Sequence, residues 1–191
     1  MIRHFKPKKI IEIGSGYSTL LSAKAILKNE AEGDKCYLKA IEPYPNEIIK
    51  KGFPGLGKLI IDEAQNIPLS EFKELKENDI IFIDSSHVLK LGSDVKYEYL
   101  EILPSLEKGV IAHVHDIFLP KEYPREWVFS KHRFWNEQYL LQAFLTFNTN
   151  FEILWASQYM HLKNPEKLEM AFNSYKREKT SPGSFWIRKT A

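Results

Sequence analysis

The stretch from Lys9 to Leu21 constrains the fold more than any other. The apolar run Lys9 to Ile13 stops at Gly14-Ser15-Gly16, and a helical pattern through Leu20, Leu21, Ala25 and Ile26 begins almost at once. A buried strand feeding a tight glycine turn and then a helix is the opening unit of an α/β sheet. Ser18 and Thr19 are the expected helix caps. Gly14 and Gly16 let the backbone turn sharply and let a ligand approach without a Cβ in the way. The helix start adds free N–H groups and a positive dipole end. The segment Ile11 to Leu21 is therefore read as a nucleotide-type cofactor loop, with Glu12 supporting it.

The same grammar repeats along the chain. Strands are expected over Tyr37 to Ile41, Lys58 to Ile61, Asp79 to Ile83, Val110 to Val114, Phe151 to Ala156 and Ser184 to Arg188. Helices are expected over Tyr44 to Lys51, in a short turn near Phe72 to Leu75, over Asp94 to Leu106, over Asn136 to Phe147 and within Glu166 to Lys179. Alternation of this kind predicts a mostly parallel sheet with helices on both faces. Pro182-Gly183 turns the last strand back antiparallel at the sheet edge. At 191 residues the chain suits one domain, 1–191.

Composition closes off several function classes. Lys plus Arg is 27 against 25 for Asp plus Glu, a net charge of +2 that gives no case for a nucleic-acid partner. No apolar run approaches the ~20 residues that span a bilayer. Cys36 is the single cysteine, so an intrachain disulfide and a cysteine zinc cluster are excluded and a cytoplasmic location is expected. Association into homo-oligomers stays open.

Polar residues collect where strands end. Glu42 closes the second strand, where a carboxylate can accept hydrogen bonds from ribose hydroxyls. Asp84 ends the wholly apolar run Ile80 to Ile83, with Ser85, Ser86 and His87 behind it. His115-Asp116 ends the fifth strand, and His113 shares a face with His115. In an open α/β sheet these tips form the ligand-binding edge. Asp and His there can hold a divalent metal or remove a proton from an acceptor hydroxyl. His115 is the first candidate for the base and His87 the second, with Asp116 beside them. No Gly-x-Ser-x-Gly elbow surrounds Ser85 and Ser86, so covalent catalysis has no support. The long stretch Phe118 to Phe134 reads as a lid with Tyr123, Trp127, Phe134 and Trp135 in or near it. Arg125, Arg133 and Glu137 are candidates for holding a polar substrate.

The combination Glu12-Ile13-Gly14-Ser15-Gly16, Glu42, Asp84 and His115-Asp116 resembles the class I S-adenosylmethionine-dependent methyltransferases. The strings FIDSSH and HVHDIFLP are similar to a bacterial small-molecule subgroup, distantly akin to the macrocin and catechol O-methyltransferases. The resemblance implies a Rossmann-like, doubly wound sheet of seven strands with the last antiparallel. It implies S-adenosylmethionine as cofactor, held by Glu12, Gly14, Ser15, Gly16, Glu42, Asp62 and Asp84. It implies methyl transfer to a small-molecule acceptor, at oxygen. It also implies a divalent metal on Asp84, His115 and Asp116, where histidine replaces a carboxylate and suits a transition metal better than magnesium. The helices that usually precede the first strand are nearly absent, since Ile10 comes so early. Two other readings remain at this point. One is an NAD(P)-dependent oxidoreductase, for which the third glycine and a Tyr-x-x-x-Lys helix are missing. The other is a non-catalytic α/β binding domain.

Overall fold

A computed structural model describes residues 1–179 and 181–191. A short helix α1 (Ile2–Phe5) precedes strand β1 (Lys9–Ile13), helix α2 (Tyr17–Glu30) and strand β2 (Tyr37–Ile41). Then follow α3 (Glu47–Lys51), β3 (Lys58–Ile60), a 3₁₀ turn (Ala64–Asn66), α4 (Leu69–Phe72) and β4 (Ile80–Ile83). A helical segment comes next: α5 (Asp94–Tyr97), a π-helical turn (Glu98–Ile102) and α6 (Leu103–Ser105). Strand β5 (Ile111–Val114) leads into α7 (Arg125–Phe129), α8 (Glu137–Leu145) and β6 (Phe151–Ala156). Helices α9 (Ser157–Lys163) and α10 (Pro165–Ala171) precede the final strand β7 (Phe185–Lys189).

All seven expected strands form, in the order β3-β2-β1-β4-β5-β7-β6. β1 to β5 are parallel, and β7 runs antiparallel between β5 and β6. The chain reverses direction in sheet order at β1, and that switch leaves a crevice at the carboxyl ends of β1 and β4.

The central strands alternate faithfully. Ile11, Ile13, Ile81, Ile83, Ala112 and Val114 face one layer, with Phe72, Tyr99 and Ile102 packed over them. Ile10, Ile80, Ile111 and Leu38 face the other, under Ala23 and Ile26 of α2. Both faces of β1 and β4 are buried, which is why these strands read as continuous apolar runs. The second layer is thin. α1 is one turn long, and beside it an open groove exposes Phe82 and Trp186. Asp79 starts no strand: its Oδ1 accepts Lys8 N (2.9 Å) and Lys9 N (2.8 Å), and its Oδ2 accepts Lys76 N (2.9 Å). It staples the ends of β1 and β4 opposite the crevice. Three short helices escaped the sequence: α1 before β1, α7 inside the expected lid, and α9 between β6 and β7. Among the described residues no helix is long and apolar enough to cross a membrane.

Candidate active site at the strand tips

The loop after β1 is assembled by backbone contacts. Gly14 adopts φ +83°, and its N–H donates to Ile41 O (2.9 Å). A Cβ there would lie 1.9 Å from the carbonyl oxygen of Asp84, so only glycine lets β1 and β4 close together. Ser15 N donates to Glu42 Oε2 (2.9 Å), while Glu42 Oε1 accepts Tyr44 N (2.8 Å). Gly16, not Ser18, occupies the cap position of α2, and its N–H donates to Thr19 Oγ1 (2.9 Å). Ser18 instead donates to Glu12 Oε1 (2.6 Å) beneath the loop. Glu12 is fully buried, and burial pushes its pKa up to about 7, against the opposing hydrogen bonds of Ser18 and Thr19.

Two cavities meet at Asp84. One, of 520 Å³, runs from Gly14 past Glu42 to Glu63 and Gln65. The other, of 670 Å³, lies on the far side and is lined by Gly16, Tyr17, Phe82, His115 and Trp186. Buried polar atoms without partners among the described residues face this region: Ser15 Oγ and Gln65 Oε1. Asp62 does not line the first cavity. Its Oδ1 accepts Glu63 N (2.8 Å) and Asn66 Nδ2 (2.8 Å), turning the carboxylate onto the 3₁₀ turn. Glu63 and Gln65, joined at 2.6 Å, supply the polar groups instead. Two adjacent acids cannot be told apart by sequence when a turn decides which one faces inward. A 720 Å³ groove between α8 and β6 is larger, but no strand-tip residue of the crevice reaches it.

Behind Asp84 stands a buried chain of polar groups. His87 Nε2 lies 3.3 Å from Asp84 Oδ1, and His87 Nδ1 lies 2.7 Å from Glu137 Oε2. Tyr99 OH donates to Glu137 Oε1 (3.0 Å). Burial opposes a charge on His87, yet the hydrogen bonds to Asp84 and Glu137 outweigh it and lift its pKa to about 10. A ring already protonated at neutral pH cannot take a proton, so His87 is a clamp on Asp84 rather than a base. Glu137 is fully buried and also serves this clamp, which removes it from the candidates for contacting substrate. Ser86 is equally occupied, its Oγ donating to Asp94 Oδ1 (2.5 Å).

On β5 the two histidines separate in role. His113 is buried between Phe82 (4.0 Å between ring centres) and Trp186 (4.4 Å). Burial holds its pKa well below the usual imidazole range. His115 is partly exposed at the second cavity, its Nδ1 3.4 Å from His113 Nε2 and its Nε2 3.6 Å from Asp116 Oδ1. Asp116 sits at φ +53° and His87 at φ +59°. Left-handed backbone at two non-glycine residues marks a strained site. Asp116 is held there by Ile117 N donating to Gly183 O (2.8 Å), and burial raises its pKa.

The expected metal set is not assembled. Among the described residues no group of three or more His, Cys, Asp or Glu side chains converges to hold an ion. The reason is visible in the pairing: Asp84 turns to His87, and Asp116 faces His115. The stretch expected to form a lid holds a packed aromatic cluster. Tyr123, Trp127 and Trp135 pack edge to face, with Trp127 and Trp135 5.1 Å apart, while Phe134 is exposed.

A doubly wound sheet with a glycine loop on β1, an acid on β2 and polar tips on β4 and β5 defines a class I S-adenosylmethionine-dependent methyltransferase. The comparisons agree. A family model described as a methyltransferase domain matches residues 11–117, more than half of the chain, and the chain belongs to that family. An uncharacterized protein of Archaeoglobus fulgidus is 37% identical over 81 residues, which cover 41% of this chain and 36% of that protein. The chain thus matches only about a third of that relative's length. Two solved structures share the fold. A putative methyltransferase from Thermobifida fusca has a TM-score of 0.54 at 13% identity, over 100% of this chain and 77% of that one. A SAM-dependent methyltransferase from Archaeoglobus fulgidus has a TM-score of 0.51 at 15% identity, over 99% and 89%.

Proposed function

We propose that the protein transfers the methyl group of S-adenosylmethionine to an oxygen of a small-molecule acceptor. The meeting of two cavities at Asp84, one on each side of the glycine loop, carries this reading. The first is polar along Glu42, Glu63 and Gln65, as a nucleoside requires. The second, at 670 Å³, has the size of a small-molecule pocket and a histidine at its wall. The unpartnered Ser15 Oγ and Gln65 Oε1 fit a ligand rich in hydrogen-bonding groups.

When bound, the cofactor supplies a sulfonium methyl ready for direct displacement. The chain's own residues align and protect. Glu42 retains acceptor capacity on both oxygens for ribose hydroxyls. Glu63 and Gln65 address the base. His115 receives the acceptor's hydroxyl proton at Nε2, and Asp116 beside it favours the resulting imidazolium. His87 and Glu137 hold Asp84 in place. Alignment of donor and acceptor supplies much of the rate in such a reaction.

Calorimetry with S-adenosylmethionine, S-adenosylhomocysteine and NAD tests the reading. The first two bind, and Glu42→Gln weakens both by about tenfold through loss of charge-assisted hydrogen bonds. Binding of NAD alone would turn the assignment to a nicotinamide oxidoreductase. Binding of none would leave a non-catalytic α/β domain.

A further inference from the structure

Arg133 lies between α7 and α8, in the aromatic lid. Its guanidinium carbon sits 4.7 Å from the ring centre of Trp127 and 4.9 Å from that of Trp135. The two indoles meet at 78°, so the cation occupies the corner between them. Its backbone N–H donates to Trp127 O (2.8 Å), which fixes the root of the side chain. Among the described residues the guanidinium makes no ion pair or hydrogen bond. The other cations of α7 and its flank are engaged: Lys131 with Glu126 at 3.1 Å, and Arg125 over the Phe129 ring at 5.1 Å.

Position gives this free cation a purpose. Trp135 also packs on His87, with 4.1 Å between ring centres, so the corner is joined to the strand-tip cluster. Arg133 is close enough to Asp116 for its charge to favour the ionised carboxyl there. Contacts with ring faces hold a guanidinium by its plane and leave its N–H edges open. An open edge of fixed orientation suits the two oxygens of a carboxylate. The acceptor cavity itself presents Asp84, which repels an anion, and the cation Arg3, which is already paired with Glu32 (2.6 Å).

We infer that Arg133 is a specificity residue that binds a carboxylate on the acceptor, so the acceptor is a hydroxy acid rather than a neutral alcohol or phenol. This rests on the methyltransferase reading above. The test uses protein saturated with S-adenosylhomocysteine, titrated with 4-hydroxybenzoate and, separately, with phenol. The wild type binds 4-hydroxybenzoate at least about tenfold more tightly than phenol, the scale of one charge-assisted hydrogen-bonded pair. Arg133→Met removes that preference and leaves phenol binding unchanged, while Arg133→Lys restores part of it. A purely structural cation would alter both probes alike. Equal binding of the two probes, or binding of neither, by the loaded wild type overturns the inference. So does a preference that survives in Arg133→Met. Failure of S-adenosylhomocysteine to bind at the outset overturns the methyltransferase reading and this inference with it. Binding of S-adenosylhomocysteine without carboxylate preference overturns the inference alone.

Discussion

Gly14→Ala is expected to lose about 2–6 kcal/mol of folding stability, from left-handed strain plus overpacking. Both causes act at one atom. At φ +83° an alanine is strained in any surroundings, and its Cβ would stand 1.9 Å from Asp84 O. That oxygen belongs to backbone whose N–H already donates to Ile13 O (2.9 Å), so it cannot swing aside. Relief requires β1 and β4 to part at the sheet's centre. For a chain of this size the loss corresponds to a Tm lower by about 10 °C in thermal melts. The control is Gly16→Ala. Gly16 has extended backbone, and a Cβ there meets nothing within 4 Å. It keeps the wild-type Tm and weakens S-adenosylmethionine binding, because the added methyl projects into the crevice. A wild-type Tm for Gly14→Ala would show that the two strand ends are not held as tightly as the contact implies. The two glycines, identical in the motif, are thus expected to do different work, Gly14 closing the sheet and Gly16 clearing the ligand's path.

The parts of this molecule written in short-range patterns were legible in its sequence. β1, β4 and β5 are buried on both faces, so their apolar runs and abrupt polar ends show directly where the sheet's tips lie. Pro182-Gly183 announced the antiparallel return of β7 but not its place, since β7 inserts between β5 and β6 and leaves β6 at the sheet edge. What the sequence hid depends on long-range partners. Nothing local marks Glu137 as the partner of His87, fifty positions away, yet that contact joins the one to Asp84 in raising the pKa of His87. Read alone, His87 is a histidine at a strand tip and a fair candidate base. Placed between Glu137 and Asp84, it is a protonated clamp. Asp62 and Asn66 likewise settle between themselves which acid faces the cleft, and the choice falls on Glu63. The expected metal residues are not drawn together for the same reason. Asp84, His115 and Asp116 have suitable chemistry and the right strand ends, but each carboxylate is turned toward a neighbouring imidazole.

Three carboxylates, those of Glu12, Glu42 and Asp84, surround the loop after β1, and their states differ. Glu42 is half-buried and accepts two backbone N–H groups, and Asp84 faces the protonated His87. Glu12 has no cation beside it and one oxygen without a partner among the described residues. The protein therefore keeps an acid near its protonation midpoint directly beneath the ligand loop. The consequence is a stability that depends on pH. Glu12 has its pKa raised from 4.5 to about 7 by burial. A group raised on folding contributes no penalty below its unfolded pKa, where both states hold the proton. The penalty grows as pH rises from 4.5 through about 7, because the native state must then either keep the proton or bury a charge. Glu12→Gln removes the titration while its side-chain oxygen still accepts the Ser18 hydroxyl. The variant is expected to match the wild type in stability near pH 4 and to exceed it by about 3 kcal/mol at pH 8, at about 1.4 kcal/mol per pKa unit. Urea denaturation of both proteins across that range checks it. A constant difference between the two curves would mean that Glu12 does not change its affinity for the proton on folding, and that its burial is relieved by solvent reaching the loop from the crevice.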